Sequence, residues 1–249
     1  MRGPDLRPLI LAIQFLTRLP TPQVGNFSPA LLARAVAWFP LVGLLLGSML
    51  AALLVAGSLI DPWLAAWLGL LGWVWLTGGL HLDGLADMAD GLGAAHRDPQ
   101  RFLAVLKDPH LGSFGVLTLI VHGTGKLLLL MLLARQGMPG LLAILLIPGW
   151  ARLGVYLWQT LPPLAPGMAE QFGWQRRPWA GLLNLLGLLV LSLWLAPPLL
   201  LAPLVLLAYR QWLARRLGGV TGDCLGAGIE LSEIALLLVA VLAPAIMTT

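Results

Sequence analysis

The chain has 249 residues, 59 % of them hydrophobic and only 10 % charged, with a mean hydropathy of +0.88. A soluble domain carries about 25 % charged residues, so the composition excludes a soluble globular protein and points to an integral membrane protein. The net charge of +4 and a pI of ≈ 10.0 fit the Lys and Arg excess that membrane proteins keep on their cytoplasmic side, and no nucleic-acid partner is inferred from them.

Nineteen prolines and 29 glycines argue for broken or kinked helices joined by short turns. The alternating pattern of an outer-membrane barrel does not occur. The expected fold is therefore an all-α polytopic transmembrane helix bundle, one domain over residues 1–249. The single Cys224 excludes an internal disulfide and says nothing about redox compartment.

In chain order, Arg2 and Arg7 precede a short apolar run, Leu9–Leu16, which Arg18 follows without a small-residue cleavage site. This reads as an uncleaved interfacial segment ending at Thr17-Arg18-Leu19-Pro20-Thr21-Pro22 and not as a signal peptide. Stretches long enough to span, about 17–25 residues, follow at 35–57, 62–80, 114–134, 139–160, 179–196, 197–214 and 228–247. Pro197-Pro198 separates the fifth from the sixth, because proline cannot continue the helical ladder. Trp63, Trp174, Trp179 and Trp212 stand near span ends, where amphipathic rings collect.

Seven spans with a cytoplasmic N-terminus put twelve cations on one side: Arg2, Arg7, Arg18, Arg34, Arg97, Arg101, Lys107, Arg176, Arg177, Arg210, Arg215 and Arg216. Arg135 alone falls on the other, and Lys126 and Arg152 lie within spans. The asymmetry places the protein in the cytoplasmic (inner) membrane, N-terminus in.

Two acidic groups then face the cytoplasm together. Asp83, Asp87 and Asp90 lie four and seven positions apart in His81-Leu82-Asp83-Gly84-Leu85-Ala86-Asp87-Met88-Ala89-Asp90-Gly91, and so share one helical face. Like charges at that spacing repel one another. A hard divalent ion relieves the repulsion and leaves positions free for substrate phosphates, so Mg²⁺ is the expected cofactor, with Mn²⁺ as the alternative. His81 reads as a hydrogen-bonding neighbour, not a metal ligand.

The second group is Gly218-Gly219-Val220-Thr221-Gly222-Asp223, continued by Glu230-Leu231-Ser232-Glu233. Asp223 and Glu230 share a face, with Glu233 one turn further on. Four carboxylates can hold two metals about 3.5–4 Å apart, a clamp suited to phosphoryl displacement. The structural alternative for each group is a solvated helix end.

Between the two, Asp98 and Pro99 mark the start of a short helix after His96-Arg97. Lys107 could hold a phosphate as a point charge, or simply be a positive-inside lysine paired with its neighbour Asp108. Arg152 and Lys126 are cations within spans. Each either reaches substrate, pairs with a carboxylate, or snorkels to the interface.

The run Thr77-Gly78-Gly79-Leu80-His81-Leu82-Asp83-Gly84-Leu85-Ala86-Asp87-Met88-Ala89-Asp90-Gly91 closely resembles the signature of the cobalamin synthase family, the adenosylcobinamide-GDP ribazoletransferases. Matching segments follow the family's order: Phe15-Leu16-Thr17-Arg18-Leu19-Pro20, Trp38-Phe39-Pro40-Leu41-Val42-Gly43, Lys107-Asp108 with Gly112-Ser113-Phe114-Gly115, and the late Thr221-Gly222-Asp223 with Glu230-Leu231-Ser232-Glu233. One departure stands out. Where the family commonly reads Lys-Asp-Ser-Arg, this chain has Lys107-Asp108-Pro109-His110.

The resemblance implies a phosphotransferase acting late in cobalamin biosynthesis. The hydroxyl of α-ribazole, or of its 5′-phosphate, attacks adenosylcobinamide-GDP, GMP leaves, and adenosylcobalamin or its 5′-phosphate forms. On that reading Asp83, Asp87, Asp90 and Asp223 contact metal, Asp90 or Asp223 is the base, and Lys107, Asp108, Arg152, Glu230, Glu233 and Lys126 border substrate. A homo-oligomer or an assembly with other cobalamin-pathway enzymes is a further expectation. Two other classes compete: a lipid-type CDP-alcohol phosphotransferase, whose Ala-Arg spacing is absent here, and a cation transporter. Acids at span ends and the lack of an internal repeat speak against the transporter.

Overall fold

The computed structural model describes residues 5–25, 28–95, 98–167, 170 and 178–247. Arg2, His96, Arg97, Trp174, Arg176 and Arg177 lie outside the described residues. Within them the chain is helical, its single β-type feature an isolated parallel bridge between Pro163 and Val220.

Helix α1 (Arg7–Leu16) is a short amphipathic segment that buries Leu11, Ala12 and Leu16, in keeping with an interfacial element. Helix α2 (Pro29–Ala35) is capped by the Ser28 hydroxyl, which accepts from the Leu31 amide. It passes through a 3₁₀ turn (Val36–Trp38) into α3 (Phe39–Ser58). Helix α4 (Pro62–Thr77) starts at Asp61, whose side chain accepts from the Trp63 amide at 2.7 Å. It stops at Gly78, which sits at φ 65°, in the left-handed region that favours glycine.

Helix α5 (Leu80–Ala95) leaves at 88° to α4. Helix α6 (Pro99–Val105) begins as the sequence indicates, with Asp98 as cap and Pro99 in the first turn. The rest of the bundle is α7 (Ser113–Arg135), α8 (Met138–Trp158), α9 (Pro178–Leu195), α10 (Ala202–Arg216) and α11 (Gly222–Met247).

Five helical stretches among the described residues are long and apolar enough to cross a membrane, or six if the bent pair α4–α5 is one span. They correspond to five of the expected spans. The other two depart from expectation for local reasons. Helix α4 has only 16 residues before Gly78 ends it. The 197–214 segment divides into a 3₁₀ turn (Pro197–Leu201) and the 15-residue α10, which carries Arg210, Arg215 and Arg216. The structure thus gives five or six spans by length and composition where the sequence suggested seven.

The bundle centres on α3, α8 and α11. A Cβ at Gly47 of α3 would strike the Leu145 carbonyl of α8, so the two helices meet backbone to backbone, as small-residue stripes allow in membranes. Helix α10 docks through Trp158 Nε1, which donates to the Leu206 carbonyl at 3.0 Å, and through the Tyr209 hydroxyl, which donates to the Cys224 carbonyl at 2.7 Å.

Inside this packing lies a buried ionic cluster. Lys126 Nζ of α7 donates to Glu230 Oε2 at 2.7 Å and to Glu233 Oε2 at 2.6 Å, both on α11. Arg152 of α8 donates to Glu233 Oε1 at 2.8 Å and to its own helix at the Pro148 carbonyl, 3.0 Å. His122 Nε2 stands 2.7 Å from Glu230 Oε2, and Lys126 Nζ lies 4.1 Å from the centroid of the Trp73 ring. Two cations face two carboxylates, so the cluster is neutral when His122 is neutral.

Each buried ion costs several kcal/mol of desolvation, and removing one partner of such a pair costs about 3–5 kcal/mol because the other is stranded. Glu233→Gln is therefore expected to destabilise the purified protein by about that amount, read as a lowered Tm in detergent. An unchanged Tm would show that the cluster does not hold the helices together.

Candidate active site

The 88° turn between α4 and α5 lays the acidic helix across one end of the bundle, where α11 begins. Their contact is close: a Cβ added at Gly84 would stand 3.0 Å from the Asp223 carbonyl oxygen and 3.1 Å from its Cα. The start of α11 is held in turn by a two-stranded clasp. Val220 N donates to the Pro162 carbonyl at 2.9 Å, and Leu164 N to the Val220 carbonyl at 3.0 Å. Thr221 completes the entry, its hydroxyl donating to Asp223 Oδ2 at 3.3 Å and accepting from the Cys224 amide at 3.2 Å.

These constraints bring the early and late acids together. Asp83 and Asp87 line an open recess of ≈ 910 Å³. Asp83 also borders a smaller neighbouring cavity with Asp223. Asp87 is half-buried and feels the like charges of Asp83, Asp223 and Asp90, in that order. Among the described residues no cation lies within ion-pair distance of Asp83, Asp87 or Asp223.

Asp90 is set apart from the others. Its two oxygens accept from the Gly112 amide at 2.8 Å and the Gly115 amide at 2.9 Å, so it caps the first turn of α7 from another helix. The structure thus gives Asp90 an anchoring contact between α5 and α7 and leaves it out of the linings of the recess and the smaller cavity.

The expected substrate-binding residues part company in the same way. Lys126, Arg152, Glu230 and Glu233 are the buried cluster described above, 0–3 % exposed. They pair with one another and line neither the recess nor the smaller cavity, so the structure does not bring them to the open site. Asp108 pairs with His110 rather than with Lys107: its Oδ1 accepts from the His110 amide at 3.0 Å and lies 2.6 Å from Nδ1. The amide and ring together hold its carboxyl below the usual range. The Pro109-His110 departure from the family pattern is thus a local Asp–His turn. Lys107 is exposed in the same loop, and Pro109 reaches the wall of the recess.

One residue of the recess escaped the sequence reading as a site residue. Arg18, counted there only as a matched motif and a positive-inside charge, lines the recess with Asp83 and Asp87. Its amide donates to the Leu76 carbonyl at 2.7 Å, and its side chain crosses Gly78 so closely that a Cβ there would strike the guanidinium. The signal was the Thr17-Arg18-Leu19-Pro20 motif itself. Nothing in its spacing ties it to a segment sixty residues away. His81 sits between the carboxylates and the buried cluster, 3 % exposed, with Arg152, Glu230 and Lys126 as its charged neighbours.

By donor type the recess suits a hard divalent cation, because its two carboxylates, Asp83 and Asp87, make no ion pair among the described residues even with Arg18 in the same lining. No three His, Cys, Asp or Glu side chains among the described residues form a metal-holding group by themselves. An ion bound through one or two carboxylates and substrate phosphates, the usual habit of Mg²⁺, needs no such cage.

Comparison with known proteins shows the family. A family model described as Cobalamin-5-phosphate synthase matches residues 8–241. An adenosylcobinamide-GDP ribazoletransferase of Laribacter hongkongensis is 62 % identical over 240 residues, 96 % of this chain and 98 % of its own length. One of Thiobacillus denitrificans is 50 % identical over 94 % of this chain and 95 % of its own, and one of Deinococcus radiodurans 39 % identical over 95 % and 86 %. No solved structure matches the chain. Matched from its first helix into its last, the chain belongs to the cobalamin-5-phosphate synthase family.

Proposed function

We propose that the chain is a membrane-embedded phosphotransferase that joins adenosylcobinamide-GDP to α-ribazole or its 5′-phosphate, releasing GMP. The observation that carries this reading is the meeting of Asp83 and Asp87 from α5 with Asp223 from α11 and Arg18 from the first turn of loop after α1, all at one end of the bundle. Family membership and the curated names of the relatives support it. The acceptor hydroxyl oxygen forms a bond to the cobinamide-linked phosphorus, the bond from that phosphorus to the GMP oxygen breaks, and the hydroxyl proton goes to a carboxylate.

In such a transfer positioning and charge neutralisation do most of the work. One or two of the carboxylates Asp83, Asp87 and Asp223 would hold Mg²⁺ or Mn²⁺ together with substrate phosphates, and the ion would supply Lewis-acid neutralisation of the diphosphate. Arg18 offers a planar fork to a phosphate oxygen pair. Asp223 is the better base, since Asp90 has both oxygens engaged by amides. Asp90 instead fixes α5 against α7.

The recess faces the cytoplasm on this reading. The N-terminus of α7, the C-termini of α8 and α10 and the start of α11 share the end that carries Arg18, Arg101, Lys107, Arg210, Arg215 and Arg216, while Arg135 closes the far end of α7. That charge asymmetry supports an inner-membrane protein with its basic end inside, and it does so without fixing the number of spans.

Asp83→Asn is expected to abolish product formation while Tm stays at the wild-type value, and chelation followed by Mg²⁺ or Mn²⁺ return should remove and restore turnover. Normal turnover of Asp83→Asn with both substrates would refute the site. Arg18→Ala is expected to lower kcat/KM by about 10²–10³-fold, the loss typical when one charge-stabilising donor is removed, with Arg18→Lys in between because it keeps the charge but loses the fork. Steady-state kinetics with adenosylcobinamide-GDP varied would read both.

A further inference from the structure

The smaller cavity beside the open recess has a character of its own. It measures ≈ 170 Å³ and shares Asp83 with the recess. Five helices close it with apolar side chains: Phe15 from α1, Phe39 from α3, Leu80 from α5, Val155 from α8 and Ile229 from α11. The Phe15 and Phe39 rings lie nearly parallel, centroids 5.9 Å apart. Among the described lining residues His81 is the one neutral polar side chain. It is 3 % exposed and its Nδ1 makes no hydrogen bond.

We propose that this cavity seats the flat aromatic base of the acceptor nucleoside, a subsite that rests on the transferase reading above. Size and polarity select the occupant. A corrin macrocycle is far too large for ≈ 170 Å³. A guanine ring carries donors and acceptors along its edges, and an apolar wall would leave most of them unpaired at a cost of about 1–3 kcal/mol each. A fused-ring base of low polarity buries its faces against apolar walls, and aromatic rings at 4.5–7 Å stack favourably. His81, with one donor and one acceptor when neutral, offers the single polar contact that such a base requires.

The position fits the chemistry as well. A base held between Phe39 and Ile229 directs its ribose toward Asp83 and Asp223, the polar part of the lining. The acceptor hydroxyl then emerges beside the carboxylates, while the donor diphosphate enters through the open recess with Arg18. The two substrates occupy adjoining compartments that meet at Asp83.

The test uses the full chain in lipid nanodiscs, with α-ribazole binding followed by calorimetry and both KM values by steady-state kinetics. Val155→Phe fills the cavity and is expected to weaken α-ribazole binding and raise its KM by about 10-fold or more, the scale set by a few misplaced methylenes, with the KM for adenosylcobinamide-GDP within twofold. Ile229→Ala enlarges the cavity and is expected to raise the kcat/KM of a tricyclic-base riboside relative to α-ribazole by about 10-fold. It keeps the test open should Val155→Phe fail to fold. Unchanged α-ribazole binding in both variants, or a rise confined to the donor KM, would overturn the subsite. A wild-type protein that binds α-ribazole but forms no product would refute the transferase reading alone, leaving the cavity to be judged by calorimetry.

Discussion

Backbone contact between α5 and α11 is the constraint on which the rest of the molecule turns. Glycine at residue 84 permits it, since an added Cβ would stand only 3.0 Å from the Asp223 carbonyl oxygen. With the helices that close, carboxylates 140 positions apart in sequence border adjoining hollows that share Asp83. Two further restraints fix the pair. The Pro162–Val220 clasp sets where α11 begins, and Asp90 bolts the far part of α5 to the first turn of α7. Each uses backbone amides or carbonyls, so the position of the site does not depend on side-chain rotamers alone.

The second level of order is ionic. A bilayer interior tolerates charged groups when they answer one another, and Lys126, His122, Arg152, Glu230 and Glu233 do so across α7, α8 and α11. Their location one layer beneath His81 gives the molecule two acidic systems of opposite character. The inner one is closed and ion-paired. The outer one is open, and among the described residues its carboxylates Asp83, Asp87 and Asp223 carry no ion pair. Asp223 and Glu230, two turns apart on one helix, thus stand in opposite surroundings.

Much of this was legible in the chain. Composition fixed the membrane class, the helical spacing of Asp83 and Asp87 located the acidic face, and Asp98-Pro99 marked a helix start that the structure reproduces. The convergence with Asp223 followed from placing both segments on one side of the bilayer. Other features were hidden because they depend on partners distant in sequence. Asp90 looks like its neighbours until the amides of residues 112 and 115 are seen to claim it. Glu230, Glu233, Lys126 and Arg152 read as substrate contacts because pairwise distances across three helices leave no trace in spacing. The short α4 and the interrupted 197–214 segment show that hydrophobic length alone overcounts crossings where glycine or proline stops a helix early.

The turn at Gly78-Gly79 decides how α5 faces. A helix set crosswise at the mouth of a bundle has one flank toward water and the other toward the packed interior. One bend in the backbone thus turns the carboxylate-bearing flank of this helix toward the open recess while the opposite flank seals against its neighbours.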